Sequence, residues 1–249
     1  MASDLKGKVV LITGAGSGIG RATALKLHSL GALLALTDVN RDGVAETHRL
    51  CGGEPHYAAT LDVSSRDAVD MRVAELLARF DGRLDHVFNC AGVNPTSYPL
   101  VDTTDAYWEK LMDVNLKGTY LVTRATIPHL TAPGGSFVNV SSICGLHPVA
   151  NQAIYCATKY GVIGFSKSMA LELGPRGIRT NVVAPGYIDT PTNAGVLKGP
   201  EYVRRMEEGN ALGRLGEPAE VADVVAFLMG QEARYMNGSV VEIDGGLKA

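Results

Sequence analysis

The run Val9-Val10-Leu11-Ile12, followed at once by Thr13-Gly14-Ala15-Gly16-Ser17-Gly18-Ile19-Gly20, restricts the fold more than any other stretch of the chain. Consecutive apolar residues of this length read as a strand buried on both faces, the habit of parallel sheets. The glycines close the strand, and Arg21 to Leu30 then reads as a helix that packs through Ala22, Leu25 and Leu27. Strand, glycine turn and helix start together make a phosphate cradle. Glycine lets the backbone approach a pyrophosphate, and the helix N-terminus offers unpaired N–H groups and a positive dipole end. A flexible turn without a ligand is the competing reading, and the strand and helix on its two sides argue against it.

The glycine spacing is Thr-Gly-x-x-x-Gly-x-Gly; the three-glycine pattern Gly-x-Gly-x-x-Gly fails from both Gly14 and Gly16. A second strand, Leu33 to Thr37, ends at Asp38, 18 residues past Gly20. A carboxylate there accepts hydrogen bonds from a ribose diol and repels a 2′-phosphate, which favours NAD(H) over NADP(H). Arg41, three residues on, is the one nearby cation that bears on this choice.

Helix and strand patterns then alternate: helix over 41–50, strand over 55–60, helix over 65–80, strand over 84–89. Asp105 to Leu130 reads as one long helix, Ser136 to Val140 as a strand, Gln152 to Leu173 as a helix and Ile178 to Val183 as a strand. The segment 191–216, rich in glycine, reads as irregular, and the chain closes with a helix over 217–229 and a strand over 239–243. Repeated β-α units imply a doubly wound α/β fold, a parallel sheet with right-handed crossovers and helices on both faces. No linker or repeat divides the chain, so one domain spanning 1–249 is expected, with a substrate lid at about 187–216.

Bulk properties exclude several functions. A formal charge of −3 gives no basic field for nucleic acid or anionic lipid, and no apolar run reaches the ~18 residues of a membrane span. No basic-then-apolar leader opens the chain, so a soluble, cytoplasmic protein is expected. Cys51, Cys90, Cys144 and Cys156 form no Cys-x-x-Cys pair and have no histidine at metal spacing. They read as buried thiols, and no metal site is expected.

Catalytic chemistry concentrates between Ser141 and Lys159. Tyr155 and Lys159 lie four residues apart on a helix, on one face, and an ammonium beside a phenol favours the phenolate. A chance Tyr-x-x-x-Lys arises in about one chain in three of this composition, so the pair needs the remainder of the sequence to give it weight.

Taken in order, Thr13-Gly14-x-x-x-Gly18-x-Gly20, Asn89-x-Ala91-Gly92, Asn115, Ser142, Tyr155-x-x-x-Lys159 and Pro185-Gly186 resemble the short-chain dehydrogenase/reductase family over nearly the whole chain. The resemblance implies a seven-stranded Rossmann-type sheet and a nicotinamide cofactor. It implies Tyr155 as general acid/base, Lys159 as the group that lowers its pKa and holds the nicotinamide ribose, and Ser142 as the donor that polarises the substrate oxygen. Asn115 resembles the amide that anchors a proton-relay water near Lys159. Ser141 competes with Ser142, but the 13-residue step from Ser142 to Tyr155 fits the family pattern better. Implied cofactor contacts are Gly14, Ser17, Gly18, Ile19, Gly20, Asp38, Asp62, Val63, Asn89, Ala91, Gly92, Pro185, Gly186, Ile188 and Thr190.

The expected reaction is interconversion of a secondary alcohol and a ketone with NAD. The alternatives are a 3-oxoacyl-type ketoreductase, a member diverted to isomerisation or cyclisation, and a non-catalytic cofactor sensor. Substrate lining is expected from Val93, Asn94, Thr96, Tyr98, Leu146, His147, Val149, Tyr187 and the lid, a mostly apolar set that suits a lipophilic small molecule. His147 and Tyr187 are the candidate substrate contacts beyond Ser142 and Tyr155. Small residues Ala153, Ala157, Gly161 and Gly164 on the Tyr155 helix resemble the interface through which the family forms dimers and tetramers, and a homotetramer is expected.

Overall fold

A computed structural model describes residues 5–94, 97–190 and 199–247. Seven strands, β1 (Val9–Thr13), β2 (Leu33–Asp38), β3 (Tyr57–Thr60), β4 (His86–Asn89), β5 (Ser136–Val140), β6 (Arg179–Pro185) and β7 (Val240–Ile243), form one sheet in the order β3-β2-β1-β4-β5-β6-β7. Every adjacent pair is parallel. Among the described residues the α-helices are α1 (Gly18–Ser29), α2 (Arg41–Leu50), α3 (Arg66–Arg79), α4 (Asp105–Leu111), α5 (Gly118–Thr126), α6 (Ala153–Leu173), α7 (Pro200–Glu208) and α8 (Pro218–Met229).

Burial on both faces explains the unbroken apolar runs. Val10, Ile12, Leu34, Leu36, Phe88 and Val138 point to one side, where Ala24 and Leu27 of α1 and Val221, Val225 and Leu228 of α8 cover them. Val9, Leu11, Val87 and Phe137 point to the other, against Val69, Val73 and Leu76 of α3, Leu121 and Val122 of α5 and Leu173 of α6. Each such side chain withdrawn from water contributes about 1.5–3 kcal/mol, so successive residues of one strand anchor different layers.

The order in which successive strands are added reverses between β1 and β4, which pair in parallel from Val10↔His86 to Thr13↔Asn89. In open parallel sheets the loops diverge at such a point and leave a crevice at the carboxyl ends of the strands. Thr13 ties the crevice floor together, since its Oγ1 accepts from the N–H groups of Cys90 and Ala91, both at 3.1 Å.

Two segments depart from the sequence expectation. The continuous helix expected over 105–130 is three pieces, α4, a π-helical turn at Met112–Lys117 and α5, followed by a 3-10 turn at Ile127–His129. Part of the irregular segment 191–216 is helical: α7 starts at Pro200, whose missing N–H suits a first helical turn. The stretch 191–198 of the expected lid lies outside the described residues. The other boundaries agree within about three residues. No helix among the described residues is long and apolar enough to cross a membrane.

Candidate active site

The crevice is a cavity of about 500 Å³. One end is the glycine turn. Gly14 has φ of +69°, and a Cβ there would meet the Ala91 backbone at 2.9 Å; a Cβ on Gly20 would strike the Gly14 carbonyl. The spacing therefore lets the start of α1 press against the end of β1. Asn40, Ser65 and Thr104 cap α2, α3 and α4 with their side chains, whereas Ser17 makes no such bond at α1. The first turn of α1 also carries no acidic residue. Unpaired N–H groups and the dipole thus face the cavity through Ser17, Gly18, Ile19 and Gly20, the arrangement that receives a phosphate.

At the same end Asp38 is fixed by two backbone donors, Gly16 N on Oδ2 and Asn40 N on Oδ1, both at 2.8 Å. Each oxygen keeps a lone pair for a diol. Nearby cations point elsewhere. Arg21 donates to Thr47 Oγ1 at 2.9 Å and to the carbonyls of Gly16 and Gly43, and Arg41 is exposed at the start of α2, outside the cavity lining.

At the other end β5 delivers Ser141 and Ser142, and α6 presents Tyr155 and Lys159. Ser141 and Ser142 divide their work. Ser141 Oγ donates to the Lys159 carbonyl at 2.8 Å, clasping α6, while Ser142 Oγ accepts from Cys144 N at 3.1 Å and hydrogen-bonds the Tyr155 phenol. Tyr155 and Lys159 are 8% and 5% exposed. Burial pushes the Tyr155 phenol well above its ordinary value, with Cys144 adding to the rise and the Ser142 hydrogen bond opposing it. Burial pulls the Lys159 ammonium down to about 8. Its Nζ donates to the Val140 carbonyl at 3.1 Å and stands 5.6 Å from the Tyr155 ring centroid. Desolvation of the phenol outweighs the opposing Ser142 hydrogen bond.

Asn115 sits inside the π turn and is 1% exposed. Its amide closes on the Val93 backbone in both directions, accepting at 2.8 Å and donating at 3.0 Å, and it reaches Thr158 Oγ1 at 3.4 Å. It braces the loop after β4 and is not among the residues that line the cavity.

Of the other expected residues, Gly14, Asp38, Gly92, Pro185, Gly186, Tyr187, Ile188 and Thr190 line the cavity. Asn89, Ala91, Asp62, Val63 and His147 do not. Asn89 turns into the sheet, donating to Thr123 Oγ1 and Asn139 Oδ1, and Ala91 contributes its N–H to Thr13. Asp62 accepts from Ser64 within its own turn, and Val63 packs where a Cβ on Gly118 would meet it at 2.6 Å. His147 is exposed, with Nε2 3.8 Å from Glu242. Tyr98 stacks edge-on against Tyr107, Leu146 accepts from the Tyr160 hydroxyl, and Thr96 lies outside the described residues.

The substrate end is more polar than expected. Ser97, Asn151 and Gln152 join Asn94, among Ile143, Val149 and Leu215. No motif flags these residues, since they meet only when the loop after β4 crosses the start of α6, where Tyr98 N donates to Asn151 O at 2.9 Å.

A family model described as enoyl-(acyl carrier protein) reductase matches residues 14–248. The chain is 40% identical to human (3R)-3-hydroxyacyl-CoA dehydrogenase, covering 99% of both chains. It is 41% identical to a 3-oxoacyl-[acyl-carrier-protein] reductase of Thermotoga maritima, covering 98% of both. Among solved structures, a short-chain dehydrogenase/reductase, glucose/ribitol dehydrogenase, from Brucella melitensis superposes with a TM-score of 0.93 at 31% identity, over 100% of both chains.

Proposed function

This chain belongs to the short-chain dehydrogenase/reductase family of oxidoreductases, which use a nicotinamide cofactor, and from that premise we propose that it interconverts a secondary alcohol and a ketone with NAD(H). The observation that carries the reading is the joint exposure of Ser142, Tyr155 and Lys159 to the cavity that also holds the open N-terminus of α1 and Asp38. The donor set fits a dinucleotide: N–H groups for a pyrophosphate at one end, a carboxylate for a ribose diol beyond it, and a proton carrier at the other end. When bound, the nicotinamide donates hydride to a ketone carbon or accepts it from an alcohol carbon.

The protein manages the oxygen. In reduction, Tyr155 gives its proton to the developing alkoxide while the Ser142 hydroxyl donates a hydrogen bond to the same atom. In oxidation the proton returns from the alcohol to Tyr155. Lys159 supplies positive charge beneath the phenol and an N–H for a cofactor hydroxyl. The buried phenol, held protonated at neutral pH, is ready for the reductive direction. Tyr155→Phe removes the transferable proton and is expected to lower kcat/KM by at least about a thousandfold with NADH binding retained; turnover near wild type would refute the assignment.

The cofactor preference rests on Asp38, whose carboxylate would repel a 2′-phosphate with Arg21 engaged and Arg41 turned outward. Kinetics with NADH and NADPH test this directly, and a preference for NADPH overturns it. The substrate we propose is a small molecule with a lipophilic body held by Ile143, Val149 and Leu215. A 3-oxoacyl compound is the second reading, favoured by the amide groups at the cavity mouth and consistent with the substrates that the two relatives' names state.

We also propose a homotetramer, because Trp108 on α4, Tyr120 on α5, and Tyr160 and Leu171 on α6 are exposed large side chains. Gly161 does not face a partner, since a Cβ there would meet Leu116 of the same chain at 2.9 Å. Sedimentation of a 26.3 kDa species alone at micromolar concentration would refute the assembly.

A further inference from the structure

Ser142 and Tyr155 account for one substrate oxygen. Three residues before Tyr155, at the N-cap of α6, Gln152 carries a carboxamide on the cavity wall. The amide does not cap the helix. It is held from two sides: Nε2 donates to Ser97 Oγ at 3.0 Å, and Oε1 accepts from Cys144 Sγ at 3.4 Å. Both contacts fix the plane of the group, linking the loop after β4 to the loop after β5.

A primary amide has two N–H donors. One is used on Ser97, and the other has no acceptor among the described residues. Gln152 is half-buried, so a substrate entering the cavity strips water from that N–H and must replace the lost hydrogen bond or forfeit affinity. The replacement has to be an acceptor, because Oε1 is already engaged by the thiol, and a carbonyl oxygen is an acceptor with no donor of its own to satisfy. Gln152, Ser142 and Tyr155 line the same cavity, so one substrate can meet the two hydroxyls with one oxygen and the amide with another.

We infer that Gln152 is a specificity-determining residue that donates a hydrogen bond to a second carbonyl oxygen of the substrate, so that the site selects dicarbonyl compounds over simple ketones. The inference rests on the proposed oxidoreductase reading of the same cavity. It assigns the amide no part in hydride or proton transfer.

The test compares ethyl 3-oxobutanoate with 2-hexanone as substrates for the wild type, Gln152→Met and Gln152→Glu. Methionine keeps the volume and removes the polar tip; glutamate keeps the polar tip and removes the donor. The readout is the ratio of kcat/KM for the two ketones, which cancels any general damage to the site. Both variants are expected to lower that ratio about fivefold to tenfold, the loss of one hydrogen bond. A ratio unchanged in both overturns the inference. Turnover of neither ketone by the wild type, with NADH or NADPH, counts against the oxidoreductase reading, and calorimetric binding of the same pair then decides. A dicarbonyl preference in affinity that Gln152→Met erases upholds the role of Gln152, and equal affinities overturn it.

Discussion

The sheet buries one charged group at each of its two ends and treats them in opposite ways. At the amino ends of the strands Asp85, 2% exposed, accepts from Val9 N at 2.9 Å and Thr131 Oγ1 at 3.1 Å, and pairs with Lys8 at 3.3 Å and Arg83 at 3.0 Å. Burial alone would push its carboxyl up; the Val9 amide, Lys8 and Arg83 outweigh it and hold it below the ordinary value. At the carboxyl ends Lys159 is as deeply buried, with one carbonyl and no carboxylate partner among the described residues, and its ammonium falls to about 8. A compensated charge serves the fold; an uncompensated one is a cost the fold bears for a ligand.

The largest expected effect separates the two ends most sharply. Lys159→Met should reduce kcat/KM by at least about a hundredfold and yet raise the stability of the ligand-free protein. The sign follows from linkage: a lysine whose folded pKa lies below its unfolded one destabilises the fold at every pH below that folded value, so removing it at pH 7 helps. A fall from 10.5 to about 8 corresponds to about 3 kcal/mol. Leaving the Val140 carbonyl without its donor offsets part of this, for a net gain of about 1–2 kcal/mol in denaturant titration. A destabilised variant would remove the contrast.

Asp85→Ala should do the reverse, costing about 3 kcal/mol because the Val9 N–H loses its buried acceptor. Activity at a permissive temperature should stay near wild type, since Asp85 lies at the sheet end opposite the cavity; a large loss of kcat/KM in folded protein would break the division between ends. The Asp85 carboxyl, depressed in the fold, stabilises the protein above its unfolded pKa, so this difference should fade as the pH falls below that value.

The smallest effect belongs to a neutral cluster near the amino ends. His56 Nδ1 accepts from Leu34 N at 3.1 Å, so its proton sits on Nε2, directed at His28 Nδ1 at 3.0 Å. A further proton on either ring sets two donors face to face. Burial, then His28 and His48, lower the His56 pKa, and the unfolded chain therefore takes up the proton first. Stability is full above about 6.5 and falls below it. Thermal melts at pH 7.5 and 5.5 should show His56→Gln losing about 2 °C less than wild type; equal losses would exclude this cluster.

The fold and the chemical core of the site were legible in the chain because both rest on local pattern. Apolar strand runs, the glycine spacing and the Tyr155-Lys159 interval all lie within a few residues of one another. What escaped is what needs distant partners. The π turn at Met112–Lys117 carries the contact of Asn115 with Val93, 22 residues away. Gln152 meets Ser97 across 55 residues, and His28 meets His56 across 28. Proline and glycine concealed α7, and composition gave the substrate end an apolar cast that Ser97, Asn151 and Gln152 correct. The pKa of Tyr155 could not be read from its spacing to Lys159, since desolvation depends on everything that covers the ring.

The π turn also fixes a phase. Each residue of an α-helix advances the side chains by about 100°, and a π turn accommodates one residue beyond the regular count, so the extra residue is absorbed without changing the phase between α4 and α5. Leu121 and Val122 therefore keep their places against the sheet. Deleting Val114 would regularise the helix and leave the α5 core face in place while removing the turn that holds Asn115 against Val93, whereas deleting one residue from the regular turn of α5 ahead of Leu121 would swing that face by about 100°. The one place between β4 and β5 where the helix can lose a residue and keep its core face is thus the turn that holds Asn115.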